Sequence, residues 1–449
     1  MSSKCRTVFA AALCLLGSLG VASASEASFV RGDSDRSGRV DIGDAIQPLY
    51  CLFIGFCPDQ LCQDAADADD NGELQLTDAI RILNFLFLGG RPPAQPFPEC
   101  GYDATNDFFG CVSYPPCEEL TEFETVVQRF TVIDTLAGKG LTEDDNGWKA
   151  EFEAGPAADC ELSAPHNAQG DVFGNVYIAD KEAHAIRKVT PDGKIFTVAG
   201  TNEPGDGSDE PGLGVERALQ NPNGLHVRPD DGTVYILDLD NDKVRRLAPD
   251  GMLTTMFKTP GLTLGRGLWV SHNEDLAYVA SSSRLLRWTP ADGDTAAVFA
   301  ENFVRLGNLT VNDLGEVLAT DQDANVVYKV HGDSSREVIA GNGTTSGGGD
   351  GALALETGLN GVRGIWLLPG AGYYLATHAG SQVWYVDTEG IIHLVLNGSP
   401  GAHTGDGMNW NDPSVQVSEV RNISLDPFGN LLITEHDAGF IRIVQAGRS

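Results

Sequence analysis

Two twelve-residue segments carry oxygen-bearing side chains at matched positions, 34 residues apart. The first presents Asp33, Asp35, Ser37 and Asp44 at positions 1, 3, 5 and 12; the second presents Asp67, Asp69, Asn71 and Asp78. Gly38 and Gly72 fill position 6, where a sharp bend excludes a Cβ. Position 7, Arg39 or Glu73, offers its carbonyl, so its side chain is free to vary. Such a set suits a hard cation, which takes six to eight oxygens at about 2.3–2.6 Å.

A second constellation lies further along. His166, Asn223, Arg266, Gly307, Arg363 and Arg421 recur at one place in a repeated unit. Asp180, Asp238, Ser281, Asp321, Thr377 and Glu435 recur at another, with His378 and His436 one step after the last two. Three guanidinium groups on one spot bind carboxylates or sulfates bidentately. Arg266, Arg363 and Arg421 are therefore candidates for an anionic carbohydrate or peptide. The alternative is that they pair with Asp180, Asp321 and Glu435 as structural bridges. His166, His378, His436 and Arg363 are the candidates for catalysis, the histidines also for a metal. No Gly-x-Ser-x-Gly elbow, His-Glu-x-x-His pair or phosphate-cradling loop is present.

The elements that position these groups follow from periodicity. After Asp44 come Ala45, Ile46, Leu49, Tyr50 and Phe53, and after Asp78 come Ile80, Ile82, Leu83, Leu86 and Phe87. Both runs have helical spacing. Pro48 falls inside the first, where it removes a hydrogen bond. No sizeable helix is expected to enter either loop. A loop plus exit helix, twice, with Asp at position 12, resembles a type I dockerin over about 60 residues. The resemblance implies Ca²⁺-dependent folding and a cohesin-like partner. Positions 10 and 11, which face the partner in dockerins, are Ile42-Gly43 and Leu76-Thr77 here.

Lys4 and Arg6, an apolar run from Val8 to Val21 and the small residues Ala22-Ser23-Ala24 read as a signal peptide over 1–24. Export places the protein in the secreted or cell-surface compartment. It leaves seven cysteines, six of them between positions 51 and 117, where disulfides are expected. The pairing stays open, with Cys160 the odd one. No membrane span follows the signal. The calcium module takes 25–90, and a Pro/Cys-rich linker takes 91–122. Lys plus Arg number 30 against 63 Asp plus Glu, a net charge of −33. That balance excludes nucleic acid, whose phosphates need clustered cations.

From 123 to 449 the chain repeats a four-strand unit. Its second strands end at the six positions of the second set, 40 to 58 residues apart. Repeats of this size are propeller blades. The last unit stops after its third strand, Ile441 to Val444. An orphan strand, 131–138, matches the fourth strands that end at Gly200 and Gly398. It is expected to complete the last blade and close a ring of six. The wording of the repeat resembles the NHL family of six-bladed propellers. Long connections carry its glycine-rich insert as Gly205-Asp206-Gly207, Gly349-Asp350-Gly351 and Gly405-Asp406-Gly407. These aspartates either cap their own turns or add calcium sites.

The expected architecture is a small all-α calcium module followed by an all-β six-bladed propeller. The expected role is a non-catalytic recognition subunit of an extracellular assembly, one that degrades polysaccharide if the dockerin resemblance carries through. The alternative is a propeller lyase or glycosyl hydrolase with its site at the channel mouth.

Overall fold

The computed structural model describes residues 27–54, 62–105, 109–111, 114–117, 121–140, 146–262 and 264–447. The signal segment 1–24 and Cys57 lie outside the described residues. Six sheets form a ring of blades. Innermost strands Pro165–Gly170, Pro222–Arg228, Leu268–Val270, Leu306–Val311, Val362–Leu367 and Val420–Leu425 neighbour one another in that order, and the last packs back on the first. The second strands, such as Val176–Asp180 and Leu431–Glu435, are buried at every residue. Fourth strands such as Ile195–Ala199 are only partly covered. The gradient follows from position, because inner strands have sheet on both faces and outer strands meet solvent.

The ring closes as expected. The leading strand is Phe130–Ala137, and it pairs antiparallel with Phe440–Ala446 in register Ile133↔Val444 and Asp134↔Ile443. One glycine shows that it behaves as a fourth strand. Gly200 and Gly341 follow fourth strands with φ of +92° and +89°, and a Cβ there would lie 2.2 Å from the carbonyl oxygen of His184 or Asn325. Gly138 has φ +92° and the same 2.2 Å approach to the Gly439 carbonyl. Only glycine fits that crossing.

The N-terminal module contains helices α1 (Ile42–Ile54), α2 (Gln63–Ala66) and α3 (Leu76–Leu88). Ala45, Ala68, Ala79 and Ile82 form its core. Pro48 does lie inside α1, and the bond it cannot make is replaced. The Asp44 carbonyl, which would take an N–H from position 48, accepts from Ser34 Oγ at 3.1 Å. Among the described residues, the only turn of helix before either loop is α2, four residues long.

Residues 91–122 are not a free tether. Arg31 is fully buried and donates to the carbonyls of Gln95 at 2.7 Å and of Asp64 and Asp67 at 2.8 Å. It also pairs with Asp70 at 2.9 Å and with Asp103. Disulfides join Cys62 to Cys111 and Cys100 to Cys117; Cys51 is also disulfide-bonded, and Cys160 is buried and free. Helix α4 (Glu122–Val127), which sequence reading missed, begins with a Thr121–Glu124 capping box. Its Glu122 accepts from the backbone N–H of Gly372 at 2.9 Å and of Thr388 at 3.0 Å. Phe123 stacks on His393 at 4.4 Å, and Gln95 N–H donates to the Pro427 carbonyl at 3.3 Å. Gly372, Thr388 and Pro427 occupy turns at the strand ends opposite Thr377 and Glu435. The module is therefore fastened beneath the fifth and sixth blades, on the face away from the second-strand ends.

Among the described residues, no helix is long and apolar enough to cross a membrane.

Candidate functional site

The two acidic loops have matching geometry. Arg36 and Asp70 at position 4, and Gly38 and Gly72 at position 6, all take positive φ. Asp33 accepts from the N–H of Ser37 at 2.9 Å and of Gly38 at 2.6 Å; Asp67 accepts from Asn71 at 3.2 Å and Gly72 at 2.7 Å. Asp44 takes the Asp41 N–H at 2.7 Å, and Asp78 takes that of Gln75 at 2.7 Å. Oxygens of Asp33, Asp35 and Asp44 lie within 4.8 Å of one another, as do those of Asp67, Asp69 and Asp78. Ser37 Oγ reaches the Arg39 carbonyl at 3.1 Å, while the Arg39 and Glu73 side chains are exposed.

Burial first, and then the neighbouring carboxylates, push Asp44 up to about 7 and Asp78 up to about 8. Burial raises Asp33 and Asp67 as well. Asp69 Oδ1 is buried with no hydrogen-bond partner. An all-oxygen set with three carboxylates, one oxygen unsatisfied, fits a hard divalent cation, which would hold the acids ionised.

At the other end of the molecule, five of the six predicted mouth residues line one small bowl in the channel: His166, Asn223, Arg266, Arg363 and Arg421. Its empty volume is about 210 Å³. Gly307 does not line it; Asn308 does, with Asn167 and Asn422. These three asparagines, missed from sequence, form a relay. Asn308 donates to Asn422 at 2.7 Å, Asn422 to Asn167 at 2.6 Å, and Asn167 to the Leu225 carbonyl at 3.1 Å. The signal was one residue away, because each follows a predicted mouth residue or takes part in its strand start. In the other three blades that place is Gly224, Gly267 or Gly364, where a Cβ would come within 2.3 to 3.0 Å of neighbouring backbone.

The structure does not pair Arg266, Arg363 or Arg421 with Asp180, Asp321 or Glu435. Asp180 pairs instead with Arg187 at 2.9 Å, Asp238 with Arg245 at 3.2 Å and Glu435 with Arg442 at 3.5 Å, all fully buried. Each arginine stands seven residues after its acid, on the adjacent strand of the same blade. Asp321 lacks such an arginine, since Tyr328 stands there, and it accepts from the N–H groups of Val304 and Arg305, both at 2.8 Å. Ser281 and Thr377, followed at the same interval by Trp288 and Trp384, are buried strand ends. The aspartates of the glycine-rich inserts bond to the blades: two to side chains and one to a backbone N–H. Asp206 meets Lys243 at 2.6 Å, Asp406 meets Arg442 at 2.7 Å, and Asp350 accepts the Leu394 N–H at 2.9 Å.

With the acids engaged elsewhere, the mouth arginines keep unused donors. Among the described residues the Arg266 guanidinium gives one bond, to Gln322 at 2.9 Å, and its Nε is buried and unpartnered. The Arg363 guanidinium makes no hydrogen bond or ion pair among the described residues, and its Nε and Nη1 are buried. Burial and mutual repulsion push Arg266 down to about 9 and Arg363 down to about 10; burial and the other arginines lower Arg421 too.

The three predicted histidines do come together, around a guanidinium. Arg421 reaches His166 Nε2 at 3.3 Å and His378 Nε2 at 3.4 Å. A cation therefore sits where a shared metal would need to be, and among the described residues only the two aspartate trios bring three ligand atoms together. Asp437, which sequence reading missed, lies 3.2 Å from His378 Nε2, 3.1 Å from His436 Nε2 and 3.6 Å from Arg421. Its carboxyl is held well below the usual range by those neighbours, and burial lowers all three histidines. Each imidazole facing Asp437 bonds to it only when its Nε2 carries a proton.

The fold defined by these sheets is a six-bladed β-propeller, and solved structures share it at low identity. A structural genomics protein of unknown function from Bacteroides thetaiotaomicron is 16% identical, with a TM-score of 0.53 over 69% of this chain and 74% of that one. An auxiliary nutrient binding protein from Bacteroides ovatus is 13% identical, with a TM-score of 0.52 over 72% of this chain and 78% of its own. A second auxiliary nutrient binding protein, from Bacteroides thetaiotaomicron, is 13% identical at 0.51, over 70% and 76%. No family model and no curated protein matches the chain.

Proposed function

We propose that this chain is an exported recognition protein in two parts. Its dockerin-like module binds two Ca²⁺ ions, and its NHL-type propeller holds an anionic ligand at the channel mouth. The observation that carries this reading is the set of buried, unpartnered guanidinium donors on Arg266, Arg363 and Arg421. A donor-only wall calls for a ligand rich in acceptors.

In the calcium reading, Asp33, Asp35, Ser37, the Arg39 carbonyl and Asp44 hold one ion, and Asp67, Asp69, Asn71, the Glu73 carbonyl and Asp78 the other. The ion supplies charge neutralisation that lets buried carboxylates stay ionised. Docking on a cohesin-like partner draws support from the helix surfaces. Ile42, Ile46, Phe53 and Ile54 on α1 are exposed, and so are Leu76, Ile80, Phe87 and Leu88 at the matching places on α3. Phe53 and Phe87 are 70% and 63% exposed. A duplicated apolar surface of this kind is a partner surface.

The test is retention of a cohesin-like partner by the full chain with calcium and with chelator. Retention only with calcium is expected, and equal retention in both overturns docking. The same protein is then titrated with acidic and neutral glycans, and equal affinity for both overturns the mouth reading. One observation favours a second reading, a lyase or glycosyl hydrolase. Asp437 between His378 and His436 is a carboxylate–imidazole arrangement able to move protons. Turnover of a polysaccharide that disappears in His378→Ala would decide for it.

A further inference from the structure

The mouth divides into two poles. Arg421 is already committed to His166, His378 and Asp437. Arg266 and Arg363 are not, and they belong to the third and fifth blades. Between them the fourth blade contributes Gly307, with no side chain. That glycine is enforced, since a Cβ there would lie 2.4 Å from Thr320 Oγ1 and 2.8 Å from the Arg363 carbonyl. No side chain from that position enters the mouth, and Arg266 and Arg363 line the bowl together with Asn308 of the same blade. Arg305 stands beside it, paired with the half-exposed Asp323 at 3.6 Å and with its own Nε unpartnered. The opposite pole holds Asp437, His378 and His436, with Glu419 coupled to Asp437.

The first pole offers only donors. The second offers a carboxylate that accepts, flanked by imidazoles that accept or donate according to protonation. Its acids repel a multiply charged anion, but a hydroxyl group satisfies them. The bowl itself is lined by His, Asn and Arg alone, so nothing in it rewards an apolar side chain. The asparagine relay runs across the channel next to the arginines, so a ligand meets them from the open side of the mouth and not as a threaded chain.

Resting on the anion reading above, we propose that the mouth binds a hydroxylated monocarboxylate of the sugar-acid class. The carboxylate lies between Arg266 and Arg363, and a neighbouring hydroxyl bonds to Asp437. The ligand enters as a chain end or a pendant group.

Calorimetry on the full chain in calcium tests this with four probes: galacturonate, galactose, sulfate and a tripeptide with a free C-terminus. Galacturonate is expected to bind at least tenfold tighter than each of the other three. Arg363→Met and Arg266→Gln should each weaken galacturonate at least tenfold, with an unchanged melting temperature showing that the fold is kept. Asp437→Asn should weaken galacturonate about fivefold and leave sulfate unmoved. Sulfate equal to galacturonate overturns the two-pole proposal while the anion reading stands. A tripeptide that binds tighter than galacturonate overturns it in favour of a peptide ligand. Failure of all four probes overturns both the proposal and the anion reading.

Discussion

The acidic loops and the channel mouth are built on the same principle with opposite charge. In the loops, carboxylates are brought to carboxylates, and burial lifts Asp78 to about 8. At the mouth, guanidiniums are brought to guanidiniums, and burial lowers Arg266 to about 9. Between these regions lie the blade interiors, where Asp180, Asp238 and Glu435 each meet an arginine of the neighbouring strand. Opposite charges that satisfy each other need nothing further and serve the fold. Like charges held together raise the free energy of the empty site, and a ligand of opposite sign lowers it. The contrast sets charges paired within a blade apart from like charges gathered in one place.

Removing the cation should have the largest effect. At a thousandfold excess over its dissociation constant, each ion stabilises the folded module by about 4 kcal/mol. Chelation should therefore abolish helical circular dichroism from α1 and α3 while the propeller's β signal persists; an unchanged spectrum breaks the comparison on its acidic side. Next comes Asp180→Ala, which strands the buried Arg187 guanidinium and should cost about 3–5 kcal/mol in urea unfolding. Replacing Cys62 and Cys111 together with serine should cost about 4 kcal/mol, since the bridge spans 49 residues. Arg363→Met should lie at the other extreme. Relief of mutual repulsion offsets any lost packing, so stability should change by less than about 1 kcal/mol. A large loss there would mean that the mouth arginines are structural after all.

A separate effect is one of pH. Burial depresses His226 to about 4, against about 6.5 in the unfolded chain. The unfolded state then binds more protons below 6.5, so this contribution is complete above that pH and is lost as pH falls toward 4. His226→Phe should narrow the difference between urea midpoints measured at pH 7.5 and pH 5. An identical difference in both proteins would show that His226 is not desolvated.

Much of this was legible because it is local. The repeat, the turn glycines and the two acidic loops are patterns within a few tens of residues, and the leading strand announced itself by resembling Ile195 to Gly200. Arginine partners of the strand-end acids were also on view, at seven residues' distance in three blades, but their meaning depends on antiparallel register. In the first blade that register sets Ile178 opposite Arg187 and Asp180 opposite Ala185, and it brings the guanidinium back to the acid. Asp437 and the relay asparagines each stand next to a predicted mouth residue, but what they bond to could not be read. Their partners come from blades up to 255 residues away. Nor could the seating of helix α4, whose Glu122 finds its donors at Gly372 and Thr388 only after the ring has closed.

The amino-acid order alone determined which segments become blades, helices and acid-lined loops, because turn chemistry and hydrophobic period act between near neighbours. Tertiary structure alone decided which charges are neutralised and which are left open. That outcome depends on distances across strands and around a closed ring, and on burial that raises the cost of every charge lacking a partner. Six strands of one repeat place Arg421 among histidines and leave Arg363 bare, although both occupy the same position in their blades.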